Sequence, residues 1–206
     1  MKFIINIGFF LLVEIAGFSQ NNAEGQVLVA VSQFNTHVRA KNAPMAWGML
    51  SADSKKYFNQ ILQTAKTAKK EVVQNLPLLD KFFVLSLRHN MSDAELKAAS
   101  SYKVMQTLLD SKGMSMPTFT ATGMKVVVNG TKAYLTPAAE KNSLIQMPLT
   151  FENNAWKLDF AGAMQHTTAV FGKSMGNGAQ TDALVLQLLK QATAKAPDES
   201  IWVPVL

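Results

Sequence analysis

His37, His89 and His166 are the only histidines in the chain. No two stand two to four residues apart, the spacing that places metal ligands on one helical face, so no metal motif forms. His89 follows Arg88 ahead of a capping sequence and reads as a surface-loop histidine. His166 lies just past the last expected strand, where a curved sheet opens; it is the histidine candidate for a pocket, against the plainer reading of a surface histidine. Tyr134 and Trp47 are pocket candidates because an aromatic with a polar edge lines a cavity and orients a ligand. Ordinary core packing is the plainer reading of both. Asp159 alternates with Trp156, Leu158 and Phe160, which turns it away from the core and gives it no catalytic role. There is no nucleophile elbow, no Ser-His-Asp order and no paired acidic motif. The chain has no cysteine, which excludes thiol catalysis, disulfides and cysteine-ligated zinc. Gly172, Gly176 and Gly178 lack the Lys-Ser/Thr ending of a phosphate loop and read as a flexible connection. No cofactor and no metal is expected.

The elements that must position these residues fall into two halves. Met124 to Met164 reads as an antiparallel meander. Lys125 to Val128 is β-rich and stops at Asn129-Gly130, a hairpin signal, and Lys132 to Thr136 returns. Ser143 to Phe151 is a third run, and Pro148 inside it argues for an edge, a bulge or a bend. Glu152-Asn153-Asn154 is a polar turn. Trp156, Leu158 and Phe160 then share the core face, with Lys157 and Asp159 on the wet face.

The helical half precedes the sheet. Val27, Val31, Phe34 and Val38 make one amphipathic stripe, ended by Asn42 and Pro44. Pro44 suits the first turn of a short helix through Leu50. After the capping residues Ser51 to Asp53, a further helix places Phe58, Ile61, Ala65, Ala68 and Val72 on one face and Lys66 and Lys70 on a solvated one. Leu76 to Leu87 is a dense apolar patch that starts a helix at Pro77. Ser92 and Glu95 form a capping box for a helix from Asp93 to Leu109 that ends near Gly113. Met114 to Pro117 links into the sheet. After the sheet come a helix over Ala183–Ala194 and an apolar tail from Ile201 to Leu206, expected to pack on its own domain.

Residues 1–19 read as a signal peptide: Lys2, an apolar run from Phe3 to Val13, and Gly17-Phe18-Ser19 before a cut after Ser19. The run is shorter than the roughly 20 residues of a membrane span. Residues 20–206 then form one domain without a transmembrane helix, in the periplasm or outside the cell. The net charge is +6, modestly basic, and the lysines lack the interleaved aromatics of a nucleic-acid surface. No nucleic-acid partner is expected. The oligomeric state is not legible.

Ala46-Trp47-Gly48-Met49-Leu50-Ser51-Ala52-Asp53-Ser54-Lys55-Lys56-Tyr57-Phe58 resembles the helix-turn-helix start of exported bacterial NTF2-like (cystatin-like α+β cone) domains. Pro148 to Asp159, with a polar turn before Trp156-Lys157, resembles their closing hairpin. The resemblance covers about Gln26 to Ala161. It implies an α+β fold, N-terminal helices on a curved antiparallel sheet, with a C-terminal extension over 165–206 carrying one more helix and the tail. The family holds enzymes and binding domains on one scaffold, so fold does not give function. The leading expectation is an exported, non-catalytic binding domain for a small apolar ligand, a peptide or a protein partner. The alternatives are a cofactor-independent isomerase, cyclase or hydrolase using the cone pocket, and a structural or assembly protein of the cell envelope.

Overall fold

The computed structural model describes residues 20–110, 123–138, 146–175, 178–193 and 195–206. The expected signal peptide, the linker 114–117 and the expected strand start 143–145 lie outside the described residues. Helix α1 (Gln20–Arg39) buries Val27, Val31, Phe34 and Val38, as their spacing predicts. It closes with Lys41 in the left-handed region at φ 52°. There the Lys41 amide donates to the Val38 carbonyl at 3.0 Å, and the Asn42 amide donates to that of His37 at 2.8 Å. This closure normally uses glycine. The Asn42 side chain then caps α2 (Ala43–Gly48) by accepting from the Met45 amide, with Pro44 in its first turn.

Helix α3 (Ala52–Thr67) is capped by Ser51 and buries Phe58, Ile61 and Ala65. The face expected to run on to Val72 is interrupted, because Ala68 is extended at ψ 131°. The restarted helix α4 (Lys70–Gln74) buries Val73 and leaves Val72 54% exposed. Helix α5 (Leu78–Asn90) begins after Pro77 and is buried on most sides, by Phe83, Val84, Leu85 and Leu87 together with Lys81 and Arg88. The Ser92–Glu95 capping box opens α6 (Asp93–Ala98) as expected. The single helix expected to Leu109 is two, because Ala99 is extended and α7 (Ser101–Asp110) starts afresh.

Buried cations explain both breaks. Arg88 donates to the carbonyls of Ala65 at 2.7 Å and Ala68 at 2.6 Å, at the end of α3. Lys66 Nζ donates to the carbonyls of Lys97 and Ala99, each at 2.9 Å, at the end of α6. Each cation satisfies carbonyls that a helix end leaves without an intrahelical donor. Lys66 is therefore buried rather than on the solvated face read from its sequence neighbours. Lys70 lies 5.4 Å from the centre of the Trp202 ring.

Strands β1 (Met124–Asn129), β2 (Lys132–Pro137), β3 (Met147–Glu152) and β4 (Ala155–Leu158) form an antiparallel meander in sequence order. Asn129 pairs with Lys132, so the first hairpin loop is Gly130-Thr131, with Gly130 at φ 58°. Asn153 and Asn154, at φ 51° and 60°, make the mirror-image turn between β3 and β4. The register places Ala133, Leu135, Met147, Leu149, Trp156 and Leu158 on the core face. The protein is thus α+β: helices around an open four-stranded antiparallel sheet.

Two expectations at the end of the sheet are corrected. Pro148 lies in an inner strand rather than at an edge. Its carbonyl accepts the Asp159 amide at 2.9 Å, so its missing donor faces the point where the chain leaves the ladder. Asp159 is buried, not solvated, because β4 stops at Leu158 and alternation stops with it. The Asp159 carbonyl and carboxylate accept the amides of Ala163 and Gly162, opening α8 (Phe160–Met175). A Cβ on Gly162 would lie 2.9 Å from Asp159 Oδ2 and 3.1 Å from the Pro148 ring, so a larger residue here would have to displace the Asp159 carboxylate and press on Pro148.

Helix α8 runs through Gly172, where a flexible connection was expected, and residue 165 falls inside it; Gly176 lies outside the described residues. A 3-10 turn over Gly178–Thr181 leads into α9 (Asp182–Thr193). Lys81 Nζ, fully buried, bonds Thr181 Oγ1 at 2.8 Å and Asp182 Oδ1 at 2.6 Å, which joins α9 to α5. The tail docks on its own domain. Ile201 and Trp202 are buried, the Ile201 carbonyl accepts from Arg88, and the Val205 and Leu206 amides donate to the Lys66 carbonyl at 2.9 and 3.0 Å. Among the described residues no helix is long and apolar enough to cross a membrane.

Candidate functional site

Ionisable chemistry and a cavity coincide where α3, α5 and α8 meet. On α3, Tyr57, Ile61 and Thr64 recur at helical spacing and face one way. Leu76 and Pro77 fix the entry of α5, and Asp80 stands in its first turn. Met164, Gln165 and Thr168 of α8 close the remaining side. The space between them is about 270 Å³.

Tyr57 Oη donates to Asp80 Oδ1 at 2.6 Å, short enough to mark a charge-assisted bond. The tyrosine ring is held by Phe58 and Phe160, at centroid distances of 5.8 and 6.1 Å. Phe58 in turn stacks on Phe160 at 5.1 Å, so the ring stands on a rigid aromatic floor. Burial drives the phenol pKa far up, and the Asp80 charge and hydrogen bond add to this, so Tyr57 remains a donor. Burial also raises the Asp80 carboxyl, opposed by the Tyr57 hydrogen bond. Asp80 belongs to no ion pair among the described residues, and Tyr57 is its one side-chain partner there. A half-buried carboxylate with no counter-charge among the described residues, inside a cavity, makes this the candidate functional site on physical grounds.

A second, larger hollow of about 680 Å³ lies between α1 and the β3–β4 hairpin. Val29, Ala30, Met49, Phe151 and Trp156 supply its apolar surface. Its ionisable lining residue, Lys157, is engaged with the Gly48 carbonyl at 2.8 Å. It offers surface for contact and no reactive group.

The residues singled out from sequence are placed elsewhere. Trp47 packs in α2 between Phe58 and Tyr102, at 5.9 and 6.2 Å, with Lys55 Nζ over its ring. Tyr134 lies in β2 opposite Val127 and Pro148, on the sheet face turned away from Leu135 and Leu149. His166 lies in α8, and its buried Nε2 has no hydrogen-bond partner among the described residues. None of the three lines either hollow. His89 ends α5 half-buried rather than in a loop, with Nε2 3.0 Å from Thr193 Oγ1; burial lowers its pKa. No group of three metal-binding side chains occurs among the described residues.

No local pattern in the sequence pairs Tyr57 with Asp80, which meet only through the packing of α3 and α5. The one sequence signal is an aspartate inside the apolar run Leu78-Leu79-Asp80-Lys81-Phe82-Phe83. No family model, curated protein or solved structure matches this chain.

Proposed function

We propose that this chain is an exported, NTF2-like domain that binds a small molecule in the Tyr57–Asp80 pocket. The observation that carries the reading is the half-buried Asp80 carboxylate: one oxygen is fixed by Tyr57, and no counter-charge is present among the described residues. A fold that needed only packing would be more stable with a neutral group there. Helices preceding a four-stranded meander, with Leu50 bridged to Leu158, agree with the family resemblance of the two ends of that region. The export assignment rests on residues 1–19 of the sequence.

Binding is favoured over catalysis by the rest of the pocket wall. Gln60, Thr64, Gln165 and Thr168 are neutral, and the Tyr57 hydroxyl already donates its hydrogen bond to Asp80. Proton abstraction by Asp80 would lack a second acid to hold the developing charge. Mass spectrometry of protein purified from its native host tests the reading. A small molecule released on denaturation of the wild type, and absent from Asp80→Ala, supports it. A co-purifying protein with no small molecule would replace it with the envelope-assembly reading.

A further inference from the structure

We infer, resting on the pocket reading above, that the Tyr57–Asp80 pocket selects a small organic cation: an ammonium group on a short apolar body. Asp80 uses Oδ1 to accept from Tyr57, and its other oxygen has no hydrogen bond among the described residues. That oxygen is not among the fully enclosed, unpartnered atoms, and Asp80 lines the cavity. An ionised carboxylate only accepts hydrogen bonds, so the ligand must donate. The Tyr57 proton points at Asp80 and is not free to serve a carbonyl or an anion.

Charge narrows the class further. Among the described residues, no salt bridge supplies a cation to Asp80; the adjacent Lys81 is turned to Asp182 at 2.6 Å. The first turn of α5 offers Asp80 part of a helix dipole, which is a fraction of a charge and leaves most of the anion uncompensated. An anionic ligand would meet like charge at short range. An ammonium would restore the missing ion pair away from bulk water, where such a bond is stronger than at the surface.

Size and lining set the body of the ligand. About 270 Å³ is the bulk volume of roughly nine waters, enough for about ten heavy atoms. Ile61, Leu76, Pro77 and Met164 give that body an apolar wall. Long polyamines and peptides exceed the space.

Titrating matched sets of amine, alcohol and carboxylate tests this, with phenethylamine, phenethyl alcohol and phenylacetate as the lead set, followed by amide NMR shifts of the full mature chain. The amine should shift residues of α3, α5 and α8 around the pocket and bind at least about tenfold tighter than the alcohol, with no binding of the carboxylate. Asp80→Asn keeps an acceptor for Tyr57 and removes the charge, so it should abolish the preference while remaining folded by circular dichroism. Tyr57→Phe leaves the charge and should keep the preference. Equal binding of amine and alcohol, unchanged in Asp80→Asn, overturns the cation assignment and leaves the pocket standing as a ligand site. No shift in the pocket with any member overturns both.

Discussion

A carboxylate partly out of water with no cation beside it weakens the fold that holds it. Asp80 has a raised pKa from burial, so the native state binds its proton more readily than the unfolded chain does. Stability from this group is then fullest below the unfolded value of about 3.9 and is lost as pH rises through the folded pKa. Asp80→Asn removes that loss and keeps an oxygen for Tyr57. Urea unfolding should show Asp80→Asn at least as stable as wild type at pH 7, with the difference shrinking as pH falls toward 4. A variant that is less stable at pH 7 would mean that Asp80 serves the fold. Ser54 is the opposite kind of buried polar residue. Its hydroxyl accepts the Phe160 amide at 2.7 Å and donates to the Leu158 carbonyl at 3.0 Å, a carbonyl that also accepts the Ser51 amide at 2.9 Å, so it is the Phe160 amide that depends on it. Ser54→Ala should cost about 1–3 kcal/mol by urea unfolding. Residue roles were legible only where local pattern decides them. Trp156 and Leu158 follow strand alternation and are buried. Asp159 breaks it because the next residue is already helical, and Tyr57 and Asp80 meet only through the packing of two helices.

At the scale of elements, the signals read correctly were chemical punctuation. Ser92 with Glu95 starts α6, Pro44 sits in the first turn of α2, and Asn153-Asn154 turns the last hairpin. The two missed helix breaks, at Ala68 and Ala99, carry no glycine or proline. The breaks at Ala68 and Ala99 are held open by Arg88 and Lys66, cations distant in sequence from the carbonyls they bind. Pattern alone would continue both helices. Lys41 offers a test of a boundary that sequence marks only weakly. A non-glycine residue in the left-handed region costs about 1–2 kcal/mol, partly offset by the greater unfolded freedom of glycine. Lys41→Gly should therefore stabilise the protein by about 0.5–1 kcal/mol in chemical denaturation. A loss of stability would mean that the lysine side chain, not its backbone, matters at this turn.

The whole molecule is held together around α5. Lys81 ties it to α9, and Arg88 ties it to α3 and the tail. The sequence showed an α+β chain of one domain length and a tail too apolar to stay in water. It did not show that α8 follows the sheet directly, because the run from Phe160 to Met175 has no capping signal beyond Asp159. Deleting residues 200–206 exposes the site of Ile201 and Trp202 and takes one acceptor from buried Arg88. The melting temperature should fall by about 5–10 °C. An unchanged value would show that the tail is held too loosely to contribute.

The central claim is that the hollow between α3, α5 and α8 is where this protein meets its ligand. Amide NMR mapping of a small-fragment library on residues 20–206 tests it most directly. Expected are shifts at Tyr57 to Thr64, Leu76 to Asp80 and Met164 to Thr168, lost in Asp80→Ala. Shifts confined to Gly25 to Gln33 and Asn154 to Lys157, unchanged in Asp80→Ala, would contradict the claim and move the site to the hollow beside α1.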